Sequence, residues 1–251
     1  MWTALANEFA KMRHLKLAII LPLFYGGVVA MVIFYSLGSG ISQAAHNGSD
    51  DAWKLLFASL ETAVILIAPI LLAVIASRQV EIEHSSGGWL FSSSSGVTPG
   101  LLCRAKFIAL GLPIAVTTIM WGATVIIFGL TLDISTPIPV HRWAGYILSL
   151  LIIILILLAF HILLSARIEN QIICIGVGVI GVFISYFASI LPLWLRHLLP
   201  WGYFSLTKAA DYISVTSLEY FDLPYLSVAI LALVSSIIFL VITHYFDQQE
   251  S

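Results

Sequence analysis

Long apolar runs separated by short polar stretches set the pattern of this chain. A membrane-crossing helix needs about 20 mostly apolar residues. Six runs meet that length: Leu17–Tyr35, Leu55–Ala76, Phe107–Leu132, Ala144–Leu164, Ile172–Leu193 and Tyr225–Tyr245. They predict six transmembrane helices. Pro22, Pro69 and Pro113 fall inside runs, where membrane helices tolerate proline better than soluble ones do. Ahead of the first run, Trp2, Leu5, Phe9 and Met12 share one helical face, with Glu8, Lys11 and Arg13 elsewhere on the surface. Residues 1–14 therefore read as an amphipathic helix lying in the membrane interface.

Composition agrees with this pattern. The 251 residues are 60% hydrophobic and 10% charged, with mean hydropathy +1.04, whereas a soluble domain carries about 25% charged residues. The expectation is an all-α integral membrane protein with a single transmembrane domain over residues 1–251. A net charge of −2 and the lack of a basic tract offer nothing to nucleic acid. The first run is too long for a signal-peptide core and has no cleavage site after it, so no cleavable leader is expected. Cys103 falls in a loop and Cys174 in a run, so no disulfide framework is implied.

Six spans put both termini on one side, and basic residues choose that side. With the termini inside, the inner segments hold Lys11, Arg13, Lys16, Arg78, Arg104, Lys106 and Arg167. The outer segments hold Lys54, Arg142, Arg196 and Lys208. The N- and C-termini are therefore assigned to the cytoplasm. The acidic tail Asp247–Ser251 does not oppose this, because acids weigh little in the rule. The outer loops are Ser36–Lys54, Asp133–Trp143 and Trp194–Pro224. The third, residues 194–224, is rich in aromatic residues and predicts one or two short interfacial or re-entrant helices.

Candidate chemistry is sparse. Glu61 is the deepest acid, about two turns inside the second span, which makes it a candidate cargo or proton site. His161 has no partner at i+3 or i+4 that could make a metal pair, so no metal site is expected. Small residues stripe two spans: Gly26 and Ala30 in the first, and Cys174, Gly178, Gly181, Ser185 and Ala188 in the fifth. Such stripes permit close helix packing, either within the chain or against a second subunit. No phosphate-binding G-x-x-x-x-G-K-[ST] loop is present, so any ATP-driven work falls to another chain.

The segment from residue 78 to residue 106 is the longest polar interruption on the inner side. Arg78–His84 extends the second span, and Gly87 and Gly88 break it. Trp89–Phe91 is an apolar patch, Ser92–Gly96 breaks the chain again, and Pro99 suits the first turn of a new helix. A short helix with one apolar side can seat in a groove on a soluble partner.

The order Glu83-His84, Gly88-Trp89, Gly96, Pro99, Lys106 resembles the first cytoplasmic loop of type 2 ATP-binding-cassette (ABC) exporter permeases. The branch it is most similar to is the lantibiotic-immunity and antibiotic-resistance permeases. The amphipathic start, the six spans and the external segment around Pro200-Trp201 fit that layout. The resemblance implies a homo- or heterodimeric permease bound to two copies of a cytoplasmic ABC ATPase. ATP and Mg2+ would sit on those partners, and this chain would be neither an enzyme nor a cofactor binder. Residues 78–106 would form the coupling loop, with Glu81, Glu83, Gly88, Trp89 and Pro99 as ATPase-coupling residues. Gly26, Ala30, Gly178, Gly181 and Ser185 would line the permease–permease interface. An amphipathic peptide or hydrophobic drug would move outward across a bacterial cell membrane. The competing expectation is a non-transport membrane anchor or assembly subunit of a respiratory or cell-envelope complex.

Overall fold

In a computed structural model, which describes residues 2–85, 87–214 and 217–248, the six runs fold as six membrane-length helices. The tail beyond residue 248 lies outside the described residues. The N-terminal helix α1 (Trp2–His14) is followed by the first span, α2 (Leu17–Gly38). Lys16 joins them in the left-handed region at φ 55°. A short outer helix, α3 (Ile41–Ala45), leads to α4 (Asp51–Ser85). Then come the loop helix α5 (Gly88–Ser94) and the spans α6 (Pro99–Thr131), α7 (Val140–Arg167) and α8 (Gln171–Phe187). Two short helices, α9 (Leu193–Leu198) and α10 (Tyr203–Leu206), precede strands β1 (Ala210–Ser214) and β2 (Ser217–Tyr220) and the last span, α11 (Tyr225–Gln248). The protein is an all-α integral membrane protein carrying one small hairpin.

Helix α4 is the hub. It is the most buried of the six spans, and it packs on α2, α6, α7 and α8. Its 35 residues make about 50 Å of helix, against a hydrocarbon core of about 30 Å. The surplus carries its C-terminal turns past the membrane beside the start of α6. We call this end, with α1 and α5, the loop face, and the opposite end the hairpin face.

Helix α1 turns Ala4 and Glu8 toward the protein and leaves Trp2 and Phe9 exposed, as a helix lying in the interface does. Two expectations are corrected. Ala210–Ser214 and Ser217–Tyr220 of the aromatic outer segment are not helical. They form an antiparallel hairpin with Ala210 opposite Tyr220 and Tyr212 opposite Leu218, in keeping with the strand preference of Tyr and Ile.

The second correction concerns the small-residue stripe of α8. A side chain at Gly178 would collide with Ala73 and the Pro69 carbonyl on α4, and one at Gly181 would collide with the Trp201 indole. Ser185 is buried and donates to the Gly181 carbonyl at 2.7 Å. Gly178, Gly181 and Ser185 therefore serve packing within this chain and are not free for a second permease. On α2 the situation is the reverse: Gly26 and Ala30 are exposed, and nothing stands within 4 Å of a Cβ built on Gly26.

Trp201 also touches Phe160 edge-on at 5.1 Å and lies 6.2 Å from the ring of His161. Those residues stand in the last two turns of α7 before the loop face. The segment holding α9 and α10 thus dips from the hairpin face into the bundle. Substitution separates the two stripes. Gly178→Val is expected to cost about 1–3 kcal/mol through overpacking, and Gly26→Val close to nothing in the isolated protomer. Thermal unfolding of the detergent-purified variants measures both.

Candidate functional site

The loop face is held by a buried charge cluster. Lys106, about two turns into α6, is fully buried, as are Glu8 and Gln79; Glu83 is 2% exposed. The Lys106 ammonium donates to Glu8 Oε2 at 2.8 Å, to Glu83 Oε1 at 2.7 Å and to the Gln79 carbonyl at 2.9 Å. All three of its protons are thereby used. Lys11 donates to Glu8 Oε1 at 2.7 Å and to Glu83 Oε1 at 2.5 Å. The Gln79 amide donates to Glu8 Oε2 at 2.7 Å. Two acids face two lysines, so the cluster is neutral as well as hydrogen-bonded. Burial alone would lower the Lys11 ammonium, but Glu8 and Glu83 outweigh it and hold the group above the usual lysine range. Its share of the stability is therefore present below that range and lost only as pH rises through the raised value, so the Lys11 pairs are in place at neutral pH.

This cluster explains the orientation of α1. A carboxylate and an ammonium removed from water need partners, and those partners stand on α4 and α6. Glu8 and Lys11 turn inward to meet them.

The five expected coupling residues do not behave alike. Glu81 is exposed. Glu83 is spent on the cluster and offers no surface, which corrects its assignment as a docking contact. Gly88 lets α5 begin against the end of α4, because a Cβ there would strike the Glu83 side chain. Trp89 is half-buried and donates from Nε1 to His84 Nδ1 at 3.3 Å, while His84 Nε2 meets the Ser165 carbonyl of α7 at 2.9 Å. Together these bonds select the His84 tautomer protonated on Nε2. Trp89 is thus a tether and not an open contact, a second correction. Pro99 takes the first position of α6 behind its N-cap, Thr98.

What α5 does present is Leu90, 76% exposed, and Phe91, 75% exposed. Among the described residues the break before them is Gly87 with φ 63°, since Gly88 is already helical. Ser92–Ser94 belong to the helix, and the second break falls at Ser95–Gly96, with Gly96 at φ 79°; the Ser94 and Ser95 hydroxyls close the final turn onto the Phe91 carbonyl at 2.8 and 3.0 Å. Sequence reasoning marked Trp89–Phe91 as apolar and chose the wrong member. Tryptophan has a polar edge that found a partner, and the purely apolar pair did not.

At the loop face α11 is also tied in. Arg104 pairs with Asp247 at 2.8 Å and donates to Thr243 at 3.1 Å, and Asp247 accepts from the Leu101 amide at 3.1 Å. Cys103 and Cys174 are buried, free thiols.

Glu61 lies on the far side, 6% exposed, in a cavity of about 310 Å3 shared with Ser185, Ser189, Ser205 and Lys208. Lys208 approaches it at 3.7 Å and binds Asp211 at 2.7 Å. Burial opposes the Lys208 charge, and Glu61 and Asp211 raise it above the usual lysine range. His161 packs edge-on against Phe160 at 5.3 Å, and neither ring nitrogen makes a hydrogen bond. No group of three or more His, Cys, Asp or Glu side chains suited to a metal occurs among the described residues.

The loop face thus combines an exposed apolar pair on a short helix with a neutralised charge cluster at the ends of two long spans. Residues 4–185 match the ABC-2 family transporter proteins, from α1 into the end of α8. The chain belongs to that family. It is a permease component of an ABC transporter, and membership implies an ABC ATPase partner. The match stops short of the dipping segment, the hairpin and α11. A comparison with curated proteins gave no match.

The cluster sets a strong expectation. Lys106→Met leaves two buried carboxylates short of a partner, a change expected to cost about 3–5 kcal/mol. Lys11→Met, at the half-exposed rim, is expected to cost less. Thermal unfolding of the purified protein ranks the two, and equal losses would contradict the geometry.

Proposed function

We propose that this chain is the membrane-spanning subunit of an ATP-driven exporter that moves an amphipathic peptide or hydrophobic drug outward, in self-immunity or antibiotic resistance. The observation that carries this reading is the exposed pair Leu90–Phe91 on α5. A few well-packed, fully desolvated residues carry most of the binding energy of an interface, and this pair stands on the loop face, which the basic residues assign to the cytoplasm. Each of two ATPase copies would receive one α5, with Glu81 at the rim of the contact. ATP and Mg2+ belong to those partners, and this chain does no hydrolysis of its own.

The cluster of Glu8, Lys11, Gln79, Glu83 and Lys106 makes the arrangement mechanically useful. A push on α5 reaches α4 through Gly88 and Trp89, and it reaches α1 and α6 through buried ion pairs. The second permease, identical or homologous, would dock on the open face of α2 around Gly26 and Ala30. The Glu61 cavity suits the polar part of an amphipathic cargo, because it is a buried polar space among apolar spans. The membrane is the bacterial cell membrane.

Two outcomes test this reading. Replacing Leu90 and Phe91 together by Asp is expected to abolish co-purification with the ATPase while leaving membrane insertion intact; each lost anchor is worth about 2 kcal/mol or more. Retention of the ATPase by the double variant would remove the docking assignment. Glu61→Gln is expected to change cargo export, measured in vesicles, with unchanged assembly; wild-type export at every pH sampled would remove its role.

A further inference from the structure

Two cavities meet at Arg167, the last residue of α7. One is a polar space of about 340 Å3 on the loop face, bounded by His84, Trp89, Pro99, Arg167 and Glu169. The other is an apolar groove of about 450 Å3 between α7 and α11, running from Ile156 and Ser235 past Leu163 and Ile242 to Tyr245. Arg167 and Phe246 line both. An aromatic with a polar tip, such as Tyr245, favours the level where hydrocarbon meets water. The junction is therefore an opening from the bilayer core to the headgroup layer.

The charges at this junction are unspent. Arg167 and Glu169 are exposed, and neither forms an ion pair with a described residue. They do not satisfy each other, because the chain leaves the helix at Ile168 with an extended backbone. Arg104, on the neighbouring span, is by contrast already held by Asp247. His84 is engaged on both nitrogens. What remains is a guanidinium and a carboxylate in one polar cavity, with an apolar groove leading away from the guanidinium.

We propose that this junction binds a phospholipid of the cytoplasmic leaflet with a phosphoethanolamine headgroup. The phosphate meets the Arg167 fork, which matches its geometry with two parallel hydrogen bonds. The primary ammonium donates to Glu169. An acyl chain lies in the groove between α7 and α11. A choline headgroup has no N–H to give Glu169, and a glycerol headgroup has no positive charge for it. The headgroup would rest beside Trp89, so an occupied site steadies α5 from below. The proposal does not depend on which ATPase docks or on what is exported.

Native mass spectrometry tests it, on the purified full-length chain taken from vesicles of equal dioleoylphosphatidylethanolamine, dioleoylphosphatidylglycerol and dioleoylphosphatidylcholine. The expected result is one retained phospholipid per chain, with ethanolamine preferred. Arg167→Gln is expected to lower retention about tenfold, the worth of a charge-assisted hydrogen-bonded contact. Glu169→Gln is expected to keep a lipid but lose the preference for ethanolamine. Arg78→Gln, another exposed arginine, is the control and is expected to behave as wild type. The proposal is overturned by retention without headgroup preference, by wild-type retention in Arg167→Gln, or by an equal loss in Arg78→Gln. Melting temperatures of the variants in detergent show that each is folded.

Discussion

The buried ion cluster between α1, α4 and α6 is the constraint on which the rest of the loop face depends. An ammonium with no water contact is costly unless every proton finds an acceptor and its charge is balanced. Lys106 meets both conditions only if α1 lies across the ends of α4 and α6 with Glu8 turned inward. That requirement fixes the interfacial helix in place and leaves its Trp2 and Phe9 on the outside. It also withdraws Glu83 from the surface. What remains for a partner is the apolar side of α5, held to the cluster by the tight contact at Gly88 and to α7 by Trp89 and His84.

The same logic links the two membrane faces. Helix α4 runs from the cluster at one end to Glu61 and the hairpin at the other, and it touches most of the other spans on the way. One long, well-packed helix therefore joins the end that carries α5 to the Glu61 cavity without an intervening loop. The dipping segment before the last span closes that cavity from the other side. Lys208 and Asp211 neutralise each other there at 2.7 Å and leave Glu61 with a shared cation at 3.7 Å.

The six spans, the interfacial helix and the loop helix were legible in the sequence because each follows from local pattern and length. The contents of the loop face were not. Glu8 lies 71 positions from Gln79 and 98 from Lys106, and no periodicity joins residues so far apart. The sequence reading began the third span at Phe107 and so left Lys106 in a loop, whereas the helix begins at Pro99 and carries Lys106 into the bundle. The small-residue stripe of α8 was legible as a packing surface, but its partner was not. Small residues admit any close neighbour, and here Ala73, Pro69 and Trp201 arrive first. The hairpin was missed because an aromatic segment between spans satisfies both an interfacial helix and a short strand pair.

The central claim is that α1, the end of α4, α5 and the start of α6 move as one body when the ATPase closes. Double electron–electron resonance between spin labels on Arg13 and Ser94, in the transporter assembled with its ATPase, tests it most directly. A narrow Arg13–Ser94 distance within each protomer, unchanged between the nucleotide-free and ATP-bound states, is the predicted result. A distance that shifts or broadens with ATP would contradict it, because the charge cluster would then not be holding the loop face together.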